Sequence, residues 1–573
     1  MADKGLKRYP PSVRGMNFFN GDKNLLRFLE RRVPHTLKRQ KAVLKALGRF
    51  AGGELDEQAQ ESDAHYPATL NNELVDPIRP DERCGKVVIN RRYEDCQQEL
   101  YHQGTIYECF KSRNRESHIL PFVTQYLVSQ SDISTGCPYA MTHPVAYVIH
   151  RYAAKDVKNK FLKEIIRTDG QAKVGGTWAT EKHSGSDIGA SETRAITAED
   201  GTIRLYGLKW FTSAIGFKSF LTIATARPDG AVEGGKGLGL YLVPSHIDDD
   251  WEIPNHYNVR YLKDKLGTKG LPTGETELQG TLARELVLPP NGLRVMMEAL
   301  GCSRVHNAMA AAGVMRRSLN ETLCWTSNRE TFDKKLIERP MVQKRILEIA
   351  TESMAGFALA SEAAHSFDQA TQDDNVKTWM RMVTALAKFK TAEQAVWCAE
   401  KALALGGGNA YTKDFPIERI LRDAHVLPVW EGPEQIQALE LMRMVAGRED
   451  GAAVFIAKLR DIEHALPAVM KADAQRLSRQ IMNCKGRLST LKKQPQKMEL
   501  VADDFLHQMA DTLAYGLLCA EAVWELESYN DRTKLLYARH YYGRTLAHER
   551  PFFNMTELHE NFTNVVNGIP VSS

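Results

Sequence analysis

Residues 404–443 read ALGGGNAYTKDFPIERILRDAHVLPVWEGPEQIQALELMR, and one carboxylate in them, Glu431, stands between the bulky Trp430 and Gly432. The segment looks like a break between two helices: Gly406, Gly407 and Gly408 interrupt a good helix former, and an amphipathic pattern restarts at Glu434. An acid placed there, beside apolar bulk, is open to desolvation, which raises a carboxylate pKa toward the range of a general base. Trp430 and Val429 are expected to exclude water, and Gly432 to leave room for a substrate. The other reading of Glu431 is a solvated residue near a helix cap.

Three more stretches could bind or position a ligand. Thr177-Trp178-Ala179-Thr180-Glu181 is followed by Gly185-Ser186-Asp187, where small residues allow close backbone approach to a flat molecule. Gly207-Leu208-Lys209-Trp210-Phe211-Thr212-Ser213 puts aromatic rings and hydroxyls on one short run; such a run also serves simply to pack a strand. Arg304 lies in CSRVHNAMAAAG, and Arg329-Glu330-Thr331-Phe332 precedes Gln343; an arginine fork suits a pyrophosphate.

These stretches need elements to hold them. Helical spacing runs from Asn24 to Phe50 and from about Tyr93 to Leu162, broken at Cys137-Pro138 and His143-Pro144. Residues 1–20 read as extended and 51–90 as irregular. From about Ala172 the texture turns to short β-type runs, VGGTWAT, TRAITAE, TIRLYGLKWFTS, FLTIATAR and LGLYLVP, with Asp200-Gly201 as a hairpin turn. Long amphipathic helices return from Val295 to about Val445 and again beyond 450. The division is a helical unit 1–171, a β sandwich or barrel 172–290, a four-helix bundle 291–449 and an added helical unit 450–573.

With 573 residues, 43% hydrophobic and 25% charged, the chain is globular and long enough for several cores. Nine scattered cysteines without a C-x-x-C read as reduced thiols, with no zinc spacing and no metal site. No apolar run has the length of a membrane span, and the N-terminus lacks a secretory apolar core, so a cytoplasmic or mitochondrial-matrix protein is expected. The net charge of +4 does not call for nucleic acid. Lys485, Arg487, Lys492, Lys493 and Lys497 are balanced by Asp503, Asp504, Asp511, Glu521, Glu525 and Glu527. G-x-G-x-x-G after a strand, the Walker A motif and H-E-x-x-H do not occur.

GGGNAY, RDA and WEGPEQIQ, in this order and spacing, resemble the acyl-CoA dehydrogenase family, and TGCPYAMTHPV resembles its AidB-like branch. The resemblance implies a mainly α fold with a central β domain, bound FAD, and α,β-dehydrogenation of a medium- or long-chain acyl-CoA, with Glu431 as the base and the hydride going to flavin N5. It places Ala179, Thr180, Phe211 and Ser213 against the flavin, with Trp210 and Thr212 as alternatives shifted by one residue. It places Arg329 and Gln343 on the cofactor across a subunit boundary, Gly407, Gly408 and Gln435 also on the cofactor, and Ser186 and Arg304 on the acyl-CoA. Family members are dimers or tetramers that pass electrons on, in part to an acceptor flavoprotein. Pro340 stands where the family has a Gln, and Pro433 where it has a Thr. Two alternatives stay open: an AidB-type protein that senses acyl-CoA or binds DNA with little turnover, and a homologue that has lost flavin.

Overall fold

The computed structural model describes residues 12–71, 86–111, 117–447, 450–493 and 499–547. Part of the segments read as extended (1–20) and irregular (51–90), and Lys497, lie outside the described residues.

The N-terminal part is helical: α1 (Lys23–Arg32), α2 (Pro34–Phe50), α3 (Asp56–Ala64), α4 (Arg91–His102), α5 (Thr105–Lys111), α6 (Ile119–Val128), α7 (Ile133–Tyr152) and α8 (Lys155–Ile165), with a small pair β1 (Thr69–Asn71) and β2 (Lys86–Val88). Two expectations are corrected here. A π-turn, Ala51–Leu55, and α3 occupy the start of the segment read as irregular. Their inward face includes Asp56, Gln58, Ser62 and Asp63, so hydrophobic periodicity is silent there. Asp56 is fully buried against Arg14, Arg317 and Arg419. Second, α7 runs unbroken through Pro138 and Pro144. A proline lacks the N–H that would bond the carbonyl four residues back. For Pro138 that carbonyl is Ser134, which accepts instead from the Tyr93 hydroxyl at 2.7 Å.

The central sheet contains β3 (Val174–Trp178), β4 (Arg194–Thr197), β5 (Ile203–Ser213), β6 (Phe220–Pro228), β7 (Gly239–Pro244), β8 (Tyr257–Leu262) and β9 (Thr273–Val287). Its order is β3-β6-β4-β5-β9-β7; β7 also pairs β6, which closes a barrel, and β8 pairs β9. The Asp200-Gly201 turn joins antiparallel β4 and β5, with Gly201 at φ +77°. Strand β9, which pairs β5, β7 and β8, was not among the expected strands. Several of its buried positions are Thr and Gly, so its alternation is weak in hydropathy.

Three long helices follow, α9 (Gly292–Asn328), α10 (Pro340–Ala370) and α11 (Lys377–Ala410), packed on one another. A two-residue hairpin pair, β10 (Glu330–Thr331) and β11 (Lys334–Lys335), links α9 to α10. The short α12 (Pro416–Ala424) and α13 (Glu434–Ala446) return along α11. The last helices, α14 (Gly451–His464), α15 (Lys471–Lys493), α16 (Ala502–Tyr529) and α17 (Thr533–Thr545), pack back on the bundle. Ion pairs Lys390–Asp511 and Arg544–Glu348 join the two parts.

Candidate active site

Glu431 is carried by the turn between α12 and α13. Helical geometry on α11 breaks at Gly407 (φ +64°, ψ −152°), as the glycine cluster predicts. Glu431 itself adopts φ +59° and Gly432 φ +92°. A left-handed non-glycine residue costs on the order of 1–3 kcal/mol and persists only where its surroundings over-determine it. Here they do. Arg304 Nε donates to the Glu431 carbonyl at 2.9 Å, and Gln437 Nε2 donates to the carbonyls of Glu431 and Gly432 at 3.1 and 3.0 Å. Asn307 Nδ2 donates to Leu427 O at 3.2 Å, and Lys388 holds Pro428 O and Gly432 O. Pro433 precedes α13 and its carbonyl accepts from Ile436 and Gln437, so the proline in place of Thr leaves the helix start intact.

The carboxylate accepts from Ser303 Oγ at 2.7 Å through Oε2. Burial raises the Glu431 pKa above the ordinary carboxylate value; the Ser303 hydrogen bond and the charges of Arg304 and Lys388 offset part of that rise. Among the described residues, nothing accepts from the Glu431 N–H. The expected apolar screen is corrected in part: Val429 is 65% exposed and shields nothing, while Trp430 is partly buried against the core. The surroundings of the carboxyl come instead from α9 and α11. Arg304, expected on the substrate, is buried and holds the carbonyl of Glu431.

The second wall comes from the barrel. Thr180 O accepts from Trp210 N at 2.9 Å, and a buried Glu181–Lys209 ion pair at 2.7 Å joins the segment after β3 to strand β5, which the sequence shows separately. Burial pushes Glu181 up, but Lys209 and its hydrogen bonds outweigh this and hold it below the usual range. Ala179 is buried, while the Phe211 ring is 47% exposed. Ser213 Oγ meets Thr273 Oγ1 at 3.2 Å, and Lys265 Nζ donates to that same Thr273 oxygen. The Cys137–Thr142 stretch lies against this wall: Thr142 Oγ1 accepts from Gly175 N, and Thr177 Oγ1 contacts Met141. A half-open aromatic face beside paired hydroxyls and strand-end backbone suits a flat ligand with polar edges. Ser186 is exposed on the loop after Glu181.

Of the remaining sites, Gln435 lies in the first turn of α13, close in the chain to Glu431. Arg329 follows α9 and is partly buried; Gln343, Gly407, Gly408 and Gln435 are exposed. The Trp325 ring meets Phe415, so the ends of α9 and α11 share one end of the bundle. Helix rise puts Arg329 roughly 35–40 Å from Ser303, and Gly407 roughly 28 Å from Lys388. Pro340 occupies the first position of α10, where proline is favoured, which accounts for a proline in that place.

Sequence reasoning named Arg304 but missed its neighbour Ser303, and it missed Lys388. It also missed a buried cluster of histidines. His118 Nδ1 lies 3.0 Å from His143 Nε2, and His143 Nδ1 lies 3.0 Å from His306 Nε2. Burial lowers all three, His118 to about 4 and His306 to about 3, so they stand neutral. With Cys302 or Cys109 they form groups whose ligand atoms fall within 4.8 Å of one another. Three distant segments supply them, so no local spacing could signal the cluster.

Three family descriptions match the chain. Residues 9–169 match the adaptive response protein AidB N-terminal domain, 176–281 the acyl-CoA dehydrogenase middle domain, and 290–446 the acyl-CoA dehydrogenase C-terminal domain. Acyl-CoA dehydrogenase family member 11 of Caenorhabditis elegans is 28% identical over 507 residues, covering 85% of this chain and 79% of that protein. The crystal structure of C. elegans ACDH-11 in complex with C11-CoA aligns with a TM-score of 0.84 at 23% identity, over 97% of this chain and 96% of that one. An acyl-CoA dehydrogenase of Bacillus anthracis complexed with FAD aligns at 0.66 and 15% identity, over 84% of each chain. These two structural likenesses bear on the fold alone.

Proposed function

The chain belongs to the acyl-CoA dehydrogenase family, with an AidB-type N-terminal part, and from that membership we propose that it oxidises a medium- or long-chain acyl-CoA to the trans-2-enoyl-CoA, with Glu431 as the base. It is an FAD-dependent oxidoreductase acting on acyl-CoA. FAD would be held by Ala179, Thr180, Phe211, Ser213, Gly407, Gly408 and Gln435, with Arg329 and Gln343 reaching it across a subunit boundary, and supplies the two-electron oxidant when bound.

The observation that carries this reading is the anchored left-handed turn at Glu431. Ser303 engages Oε2, which leaves Oε1 to take the α-proton. The N–H of Glu431 is free to donate to the thioester oxygen, where charge develops as that proton leaves. Ser186 serves the acyl-CoA from the exposed loop, and Arg304 serves it indirectly by fixing the base. The distance between Ser303 and Arg329 along α9 supports a homo-oligomer, dimer or tetramer, in which each cofactor is shared. The four units 1–171, 172–290, 291–449 and 450–573 are part of this proposal, as is an electron-acceptor flavoprotein.

No helix among the described residues is long and apolar enough to cross a membrane; a cytoplasmic or matrix location is the proposal consistent with that. The C. elegans neighbour holds C11-CoA, and the same chain-length class is proposed for this chain. The test is a panel of acyl-CoA chain lengths read by anaerobic flavin bleaching. Bleaching that peaks at medium or long chains supports the reading. Tight binding without bleaching at any length favours the second reading, an acyl-CoA sensor of the AidB type, which the match of residues 9–169 keeps in view.

A further inference from the structure

Lys388 on α11 is 1% exposed, and its Nζ donates to Pro428 O at 3.1 Å and to Gly432 O at 2.6 Å. The two carbonyls stand on either side of Glu431 in the chain. Among the described residues Lys388 makes no ion pair. Burying an ammonium without a counter-ion is costly, and two hydrogen bonds to neutral carbonyls recover only part of the cost. The holding task is also shared, since Gln437 already donates to Gly432 O and to Glu431 O. What Lys388 adds beyond a neutral donor is charge. The carboxylate that acts on it is Glu431; the other charged group that acts on it is Arg304, which is influenced in turn by Arg381 and Glu440.

We propose that Lys388 is a positioning residue whose positive charge, beside that of Arg304, favours the ionised form of Glu431. This rests on the reading of Glu431 as the base. A buried carboxyl tends to hold its proton, and a protonated base cannot act. A cation hydrogen-bonded to the same turn opposes that tendency. Burial lowers the Lys388 amine to about 7, so its charge is full in acid, where Glu431 would otherwise take up a proton, and fades above neutrality. The neutral amine keeps its two N–H donors, so the hydrogen bonds persist after the charge is gone.

The experiment follows the carboxyl infrared band that disappears in Glu431→Gln, titrated in the FAD-loaded enzyme, together with the pH profile of flavin reduction under a saturating acyl-CoA. K388M and K388Q, the second of which keeps an N–H donor, should each raise the Glu431 midpoint by about one pH unit. K388R should leave the midpoint within a few tenths of wild type. The acid limb of flavin reduction should move in parallel, with the high-pH plateau little changed. An unmoved midpoint in K388Q, or a shift in K388R as large as in K388Q, would overturn the proposal. Should K388M fail to fold, K388Q and K388R decide it. A wild-type enzyme that never bleaches would defeat the dehydrogenase reading alone, because the infrared midpoints still decide the role of Lys388.

Discussion

Ser303 and Glu431 are 128 positions apart in the chain, and the hydroxyl of the first donates to Oε2 of the second at 2.7 Å. The bond links the middle of α9 to the turn before α13, and it leaves one carboxylate oxygen unengaged by Ser303. It favours the charged form of a group whose burial favours the neutral one.

Ser303→Ala should therefore raise the Glu431 pKa further. A hydrogen bond to an ionised group is worth on the order of 1.5–3 kcal/mol, so the acid limb of flavin reduction should move up by about one to two pH units. The check is a stopped-flow pH profile. An unshifted limb would show that the bond does not bear on the base.

Glu431→Gln keeps the side-chain shape and an acceptor for Ser303 but cannot take a proton. Flavin reduction at saturating acyl-CoA should slow by about two to four orders of magnitude, with FAD content and acyl-CoA affinity retained. Equal bleaching rates in wild type and variant would mean that another residue is the base.

The purified protein should be yellow with bound FAD. Arg329→Ala should lower FAD retention without unfolding the chain, because the side chain is only partly buried at a helix end. Absorbance after gel filtration reads both. A colourless protein that does not take up added FAD would defeat the assignment.

Duplex DNA should bind weakly. The described C-terminal helices spend basic side chains on internal partners: Arg539 on Asp473, Arg544 on Glu348, and Lys534 on Glu521. Non-specific affinity needs several uncompensated contacts to phosphate. Tight, steeply salt-dependent binding in a titration at varied salt would promote the DNA-binding alternative.

Asp56→Asn should destabilise the fold by about 3–5 kcal/mol, because it leaves Arg317 and Arg419 buried without that charge. Burial alone would raise the Asp56 pKa, but the two arginines outweigh it and hold it at about 2. The folded value lies below the unfolded one. The contribution of Asp56 is therefore full above about pH 4 and lost as the pH falls toward 2. Urea unfolding at neutral and acid pH checks both parts; a variant within about 1 kcal/mol of wild type at neutral pH would count against the first.

The sequence by itself determined what local chemistry can encode. Alternation and turn residues marked β3 to β7, the Asp200-Gly201 hairpin among them, and helical spacing marked the bundle. Three blocks around Gly407, Arg422 and Glu431 carried the resemblance to the family, and with it the proposed role of Glu431. Where burial rests on polar groups, periodicity fails: α3 hides Asp56 and Gln58, and β9 buries threonines. Only the tertiary structure decided what surrounds Glu431. Ser303, Arg304 and Lys388 come from two long helices, and Val429, its sequence neighbour, turns to solvent. The pKa of Glu431 depends on distances to those groups, and distances between residues far apart in the chain exist only once the helices have packed.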